Sequence, residues 1–187
     1  MIPSNPILFL DLDGVCNCRS FRKAHWPKNE DAFSTWWIML CSTMVKRINK
    51  ITDETKADIV VISDWRTKMD TDILMEVLRK GGIKAPIVGG TPVVRQQRRD
   101  VEIACWIGQN IGWDDMDAVA TIRMVAIDDN PQLFPTIRGK VIQTSDETGI
   151  TDNHVRLGIR MIQEPMGMKT AICLRDSGNF TDAWGRG

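Results

Sequence analysis

The sequence predicts an α/β fold, a parallel sheet covered by helices on both faces. Two observations predict it. Short, fully apolar runs rich in β-branched residues alternate with longer segments of helical periodicity. Several of these runs also stop abruptly at acidic or hydroxyl residues, as strands do where a parallel sheet ends in a binding loop.

Residues 7–10 (ILFL), set between Pro6 and Asp11, form the first such run and read as a buried strand. Residues 14–34 are polar and irregular, with Arg19, Arg22, Lys23, His25 and Lys28, and read as an insert outside the core. From Trp36, Leu40, Met44, Ile48 and Ile51 recur at helical steps, with Lys46, Arg47 and Lys50 on a solvated face. A second strand is expected over 59–62. A helix carrying Ile73, Leu74, Val77 and Leu78 follows, ended by Gly81-Gly82.

A third strand is expected within 83–88, interrupted by Pro86, with 89–92 as a loop. Another helix is predicted to start near Arg98 and to bury Val101, Cys105 and Trp106. Strands over 124–127 and 141–143 and a helix over 153–162 complete the pattern. From Pro165 the chain is patternless until 171–174, and its last residues, 183–187, are expected to be loose. The expected organisation is one domain over 1–163 and an extension of unknown role over 164–187.

Composition narrows the function. The 187 residues are 43% hydrophobic and 26% charged, enough for a real core. The 24 basic and 24 acidic residues cancel, so any polyanion must be held by a local basic patch. The N-terminal apolar run lacks the basic start and length of a signal peptide, and no stretch approaches the ~20 apolar residues of a membrane span. Five cysteines without secretory context read as free thiols in a reducing, cytoplasmic compartment. Cys16, Cys18 and His25 do not match a zinc spacing. His154 reads as a helix residue rather than a base, and Trp36-Trp37 as packing between insert and core.

The chemistry gathers at the strand ends. Asp11, Asp13 and Gly14 follow the first strand, and Asp128 and Asp129 follow the strand over 124–127. If those strands are neighbours, the carboxylates converge and need a hard cation, which fits Mg2+. Ser63, Asp64 and Arg66 follow the second strand, where a hydroxyl, amides and a guanidinium suit phosphate oxygens. The helix start at Arg98 and Arg99 can add a further cation. These are the parts of a phosphoryl-transfer site.

The runs ILFLDLDGV, VVISDWR and VAIDDN resemble the first, second and fourth motifs of the haloacid dehalogenase (HAD) superfamily. Arg99 in RRDVEIACW best matches the basic third motif, with Arg95 and Arg98 as the other candidates in that stretch. The pattern looks closest to the HAD domains found beside nucleic-acid repair enzymes and to the phosphatase half of phage polynucleotide kinase. The resemblance spans residues 6 to about 160 and implies a Rossmann-like sheet with a very small cap, here residues 15–35.

It also implies roles. Asp11 would be the nucleophile, Asp13 the acid and base, Ser63 a phosphoryl ligand and Arg99 the neutralising cation. Asp11, Asp128 and Asp129 would hold Mg2+ with the Asp13 backbone carbonyl, while Gly14, Asp64 and Arg66 would line the substrate. So small a cap leaves the site open to a phosphorylated nucleotide or nucleic-acid end, beside which His25 and Trp26 offer a stacking surface. The alternatives are a phosphatase for small metabolites or nucleoside monophosphates, and an inert module that binds nucleic acid or protein. Whether a separate kinase or ligase works beside it stays open.

Overall fold

A computed structural model describes residues 3–26, 33–94 and 98–179. Five strands form one wholly parallel sheet: β1 (Ile7–Leu10), β2 (Asp58–Val61), β3 (Ile87–Gly90), β4 (Met124–Asp128) and β5 (Val141–Gln143), in the order β3-β2-β1-β4-β5. The chain winds outward from β1 in both directions, so the switch point lies between β1 and β4, where such sheets place their ligands. Leu10 pairs with Ile127, which sets Asp11 beside Asp128.

Side chains alternate across each strand and build two cores. Leu8, Leu10, Ile59, Val61, Val125 and Ile127 face one side. There they meet α2 (Ser42–Thr55), α3 (Thr71–Lys80) and α6 (Asp152–Gln163). Ile7, Phe9, Val60, Met124 and Ala126 face the other, under α4 (Arg99–Asn110), α5 (Met116–Ala120) and α7 (Met168–Asn179). Phe9 meets Trp106 of α4 edge-on at 5.7 Å.

Several elements depart from the sequence reading. The insert contributes to the core at its start, because Val15, Cys16 and Asn17 are buried. It then forms a six-residue helix, α1 (Arg19–Ala24). Lys28 lies outside the described residues. The helix expected from Trp36 begins at Ser42, after a 3-10 stretch over Phe33–Met39. Trp36 packs inward, while Trp37 stays 41% exposed.

β3 starts after Pro86, not around it, and includes Gly89 and Gly90, which were expected in a loop. Pro86 has no amide to donate, but its carbonyl accepts from Ile59. Cys105 is half-buried rather than core. α5 and α7 were not expected at all. Beyond residue 163, Met166, Ala171 and Leu174 join the second core. Residues 183–187 lie outside the described residues. Among the described residues no helix is long and apolar enough to cross a membrane.

Candidate active site

At the carboxyl ends of β1, β2 and β4 a cleft of about 260 Å³ opens between Asp11, Asp13, Ser63, Asp64, Arg99, Asp128 and Asp129. Gly14, expected at the substrate, is not among the residues that line it. Asp11 continues β1, and its amide donates to the Ile127 carbonyl at 3.0 Å. One carboxylate oxygen each from Asp11, Asp128 and Asp129 lies within 4.8 Å of the others. Burial, then the Asp128 charge, pushes the Asp11 carboxyl well above the usual carboxylate range, against the pull of Arg99. Burial pushes Asp128 up to about 6, although the Asn130 amide donates to its Oδ1 at 2.7 Å. Burial and the charge of Asp146 raise Asp129 as well.

This donor set fits a divalent cation. Three carboxyls are held close together, two of them buried, and all are harder to ionise than in water. Asp128 Oδ2 is buried and accepts no hydrogen bond from the described residues. A hard cation would satisfy that oxygen and remove the repulsion.

Asp13 is not one of the three grouped carboxylates. Its Oδ1 accepts from Asn17 Nδ2 at 2.9 Å, and its Oδ2 from the Trp65 indole at 3.0 Å. Gly14 turns the chain at a φ of 71° and donates its amide to Asn17 Oδ1. A Cβ at Gly14 would lie 2.4 Å from Asp129 Oδ2. Gly14→Ala is therefore expected to lose about 1–2 kcal/mol to backbone strain. If the three carboxylates hold Mg2+, displacing Asp129 should also weaken that binding roughly 10-fold or more. Urea unfolding and a Mg2+ titration of the melting temperature measure the two losses separately.

Ser63 is 1% exposed and caps the 3-10 turn Asp64–Thr67, its Oγ accepting weakly from the Trp65 amide at 3.5 Å. Arg99 opens α4 and lies in the cleft. Its Nη2 donates to Asp64 at 2.8 Å and its Nη1 to the buried Glu102 at 3.0 Å, while Nε stands 4.0 Å from Asp128 Oδ2 with no hydrogen bond. Arg98 instead grips Asp100 at 2.8 Å, and Arg95 lies outside the described residues.

Arg66 departs from its expected place at the substrate. Its guanidinium turns inward and donates to the carbonyls of Ile62, Ser63 and Thr91, with Glu102 as its ion partner. It braces the β2 loop from behind and does not line the cleft.

Other residues at the cleft went unread in the sequence. Asp146, after β5, pairs with Arg19 and Arg22 of α1 and lines the cleft with Arg22. Thr144 ties the loops together, its amide donating to the Asp128 carbonyl and its hydroxyl to the Gly14 carbonyl. The signal for Asp146 was its place just past β5, at the same sheet edge as the other aspartates. His154 caps α6 within a capping box, and His25 stacks on Phe21.

The raised carboxyls link stability to pH. A carboxyl whose folded pKa exceeds its unfolded value of about 4 stabilises the fold fully below that value. The contribution is lost as pH rises through the folded pKa, about 6 for Asp128. Metal-free protein should therefore lose melting temperature between about pH 4 and pH 7 relative to protein with Mg2+. Calorimetry with Mg2+ and with chelator, at pH 5 and pH 7.5, measures the gap; an equal gap at both contradicts the assignment.

Residues 7–155 match the family described as the HAD domain in Swiss Army Knife RNA repair proteins. No curated protein gives a significant match, and no solved structure does. The matched span holds all five strands of the sheet and every aspartate that lines the cleft. With that span covering most of its length, the chain belongs to the HAD domain family of RNA repair proteins.

Proposed function

We propose that the protein is a Mg2+-dependent phosphomonoesterase that removes terminal phosphates from nucleotides or nucleic acids through an aspartyl-phosphate on Asp11. The observation that carries this reading is the division of the cleft's aspartates. Asp11, Asp128 and Asp129 group closely enough for one cation, while the Asp13 carboxylate stands outside that group, accepting from Asn17 and Trp65 with Arg22 3.8 Å away. A pure binding surface has no use for that division.

In the first half-reaction an Asp11 oxygen attacks phosphorus and the ester P–O bond breaks. Asp13 gives its proton to the departing alcohol oxygen. In the second, water attacks the acyl phosphate, Asp13 takes the water's proton, and inorganic phosphate leaves with Asp11 restored. Ser63 Oγ and the adjoining turn amides hydrogen-bond the moving phosphoryl oxygens, and Arg99 offsets their charge. Asp11, Asp128, Asp129 and the Asp13 carbonyl would hold Mg2+, which supplies charge neutralisation to the crowded carboxylates and the phosphate.

The cover over the site supports this substrate class. Among the described residues of the insert the one α-helix is α1, whose six residues suit a cleft that admits the end of a polymer. Arg22 brings a cation to the cleft, and the Trp26 ring is 49% exposed on the same insert. Membership of an RNA repair family favours an RNA end among the possible polymers. Phosphate release from 3′- and 5′-phosphorylated oligonucleotides and from mononucleotides, with Mg2+ and with chelator, tests the reading. Mg2+-dependent release that favours an oligonucleotide is expected. Preference for mononucleotides would move the substrate to small molecules, and no release from any ester would leave a binding module.

A further inference from the structure

The Asp13 carboxylate is an unusual object in this cleft. Its side chain is 45% exposed, so left alone it would turn freely in water. Instead each oxygen has its own donor, Asn17 Nδ2 at 2.9 Å on Oδ1 and Trp65 Nε1 at 3.0 Å on Oδ2. Both donors are fixed by their surroundings. Asn17 is fully buried, and its Oδ1 accepts from the Gly14 amide at 3.0 Å and from Arg22 Nη1 at 2.9 Å. Trp65 is 2% exposed and packs edge-on against Trp36, with ring centres 5.0 Å apart. Arg22, 3.8 Å from Asp13 Oδ1, is anchored in turn by Asp146.

Packing alone explains a buried indole but not the aim of its N–H at a carboxylate that water can reach. Donors to both oxygens fix the plane of the carboxyl group. A protonated oxygen keeps a lone pair for its donor while its O–H points elsewhere, so the clamp is compatible with proton delivery. A proton donor held at one angle loses less entropy in the transition state than one that must be found in rotation.

We propose that Trp65 and Asn17 are positioning residues that aim Asp13 at the leaving oxygen. This rests on the reading of Asp13 as the proton donor and goes beyond it. Transfer from alkyl phosphates, whose alcohols leave poorly without a proton, depends on the clamp. Transfer from aryl phosphates with good leaving groups does not. As the P–O bond breaks, the Asp13 O–H bond breaks with it and the proton goes to the alcohol oxygen.

The test is kcat/KM, which reports phosphoryl transfer without the later hydrolysis, for wild type and Trp65→Phe. One substrate is a terminally phosphorylated oligonucleotide and the other is p-nitrophenyl phosphate. Trp65→Phe keeps an aromatic ring against Trp36 and removes only the donor and part of the ring. The alkyl ester is expected to lose on the order of 10- to 100-fold, and the aryl ester less than about threefold. Equal losses for both esters would reduce Trp65 to packing and overturn the clamp while leaving the phosphatase reading intact. Wild type inert toward both esters would bring down the phosphatase reading and this inference with it.

A second measurement needs no turnover. The Trp65 indole N–H resonance should move when Asp13→Ala removes its acceptor, and an unmoved resonance would also overturn the clamp. Should Trp65→Phe not fold, Asn17→Ser carries the same two-substrate comparison.

Discussion

Asp11→Asn should abolish phosphate release, by at least about 10^4-fold, and yet make the metal-free protein more stable. The loss follows from replacing an anionic oxygen nucleophile with an amide that cannot form the acyl phosphate. No phosphorylated protein should be recovered on rapid quenching. The gain has a different origin. Asp11 is 7% exposed, and both its burial and the Asp128 charge work against its ionised form. Asparagine has nearly the same shape and no charge, so it removes the repulsion without opening a cavity. At pH 7.5 without Mg2+ the expected gain is about 1–2 kcal/mol, read by urea unfolding. The Mg2+-induced rise in melting temperature should shrink in the same variant. A variant that is inactive and also less stable would mean that Asp11 holds the fold together, not that the site holds it under strain.

That trade between stability and site chemistry also explains which parts of the molecule were legible in the sequence. β1, β2 and β4 are apolar runs buried on both faces, so their hydrophobicity is continuous and their ends are sharp. β3 was misplaced because Gly89 and Gly90 look like loop residues. A Cβ at Gly90 would lie 3.3 Å from both Arg66 Cδ and the Val61 carbonyl oxygen. The glycine leaves room for Arg66 to tuck behind the β2 loop, and nothing local in the sequence announces that demand. α7 was missed for a related reason. Its buried face includes Ala171 and Ser177, and a Cβ at the half-buried Gly178 would come within 3.1 Å of Ala104 Cβ. Close helix contact through small residues leaves little hydrophobic periodicity to read.

The site divides in the same way. The aspartates at the ends of β1 and β4 were readable because neighbouring parallel strands must deliver their ends to one place. Arg66 was misread because a guanidinium beside a candidate phosphate loop looks the same in sequence whether it faces the loop or braces it. Glu102 decides the matter, and it lies 36 positions away on α4, 1% exposed. Asn17 and Trp65 acquire their meaning only through contacts made by the fold.

Arg99→Ala is expected to cost roughly 10²- to 10³-fold in turnover and about 2–4 kcal/mol in stability, and the two losses have separate causes. Arg99 is the guanidinium that lowers the charge repulsion at Asp11 and Asp128 while lining the cleft. Without it the phosphoryl group meets carboxylates with less opposing charge. The stability loss arises at Glu102, a buried carboxylate shared between Arg99 and Arg66. Removing one guanidinium leaves it half-compensated. Arg99→Lys should recover only part of the rate, because one ammonium cannot reach Asp64, Glu102 and a phosphate together. Arg66→Met supplies the control, since it strips the same Glu102 of its other partner without removing a cation from the cleft. Measured well below both melting temperatures, Arg66→Met should retain at least about tenfold more turnover than Arg99→Ala. Equal losses would make Arg99 a strut for Glu102 and would leave the transferring phosphate without its assigned cation.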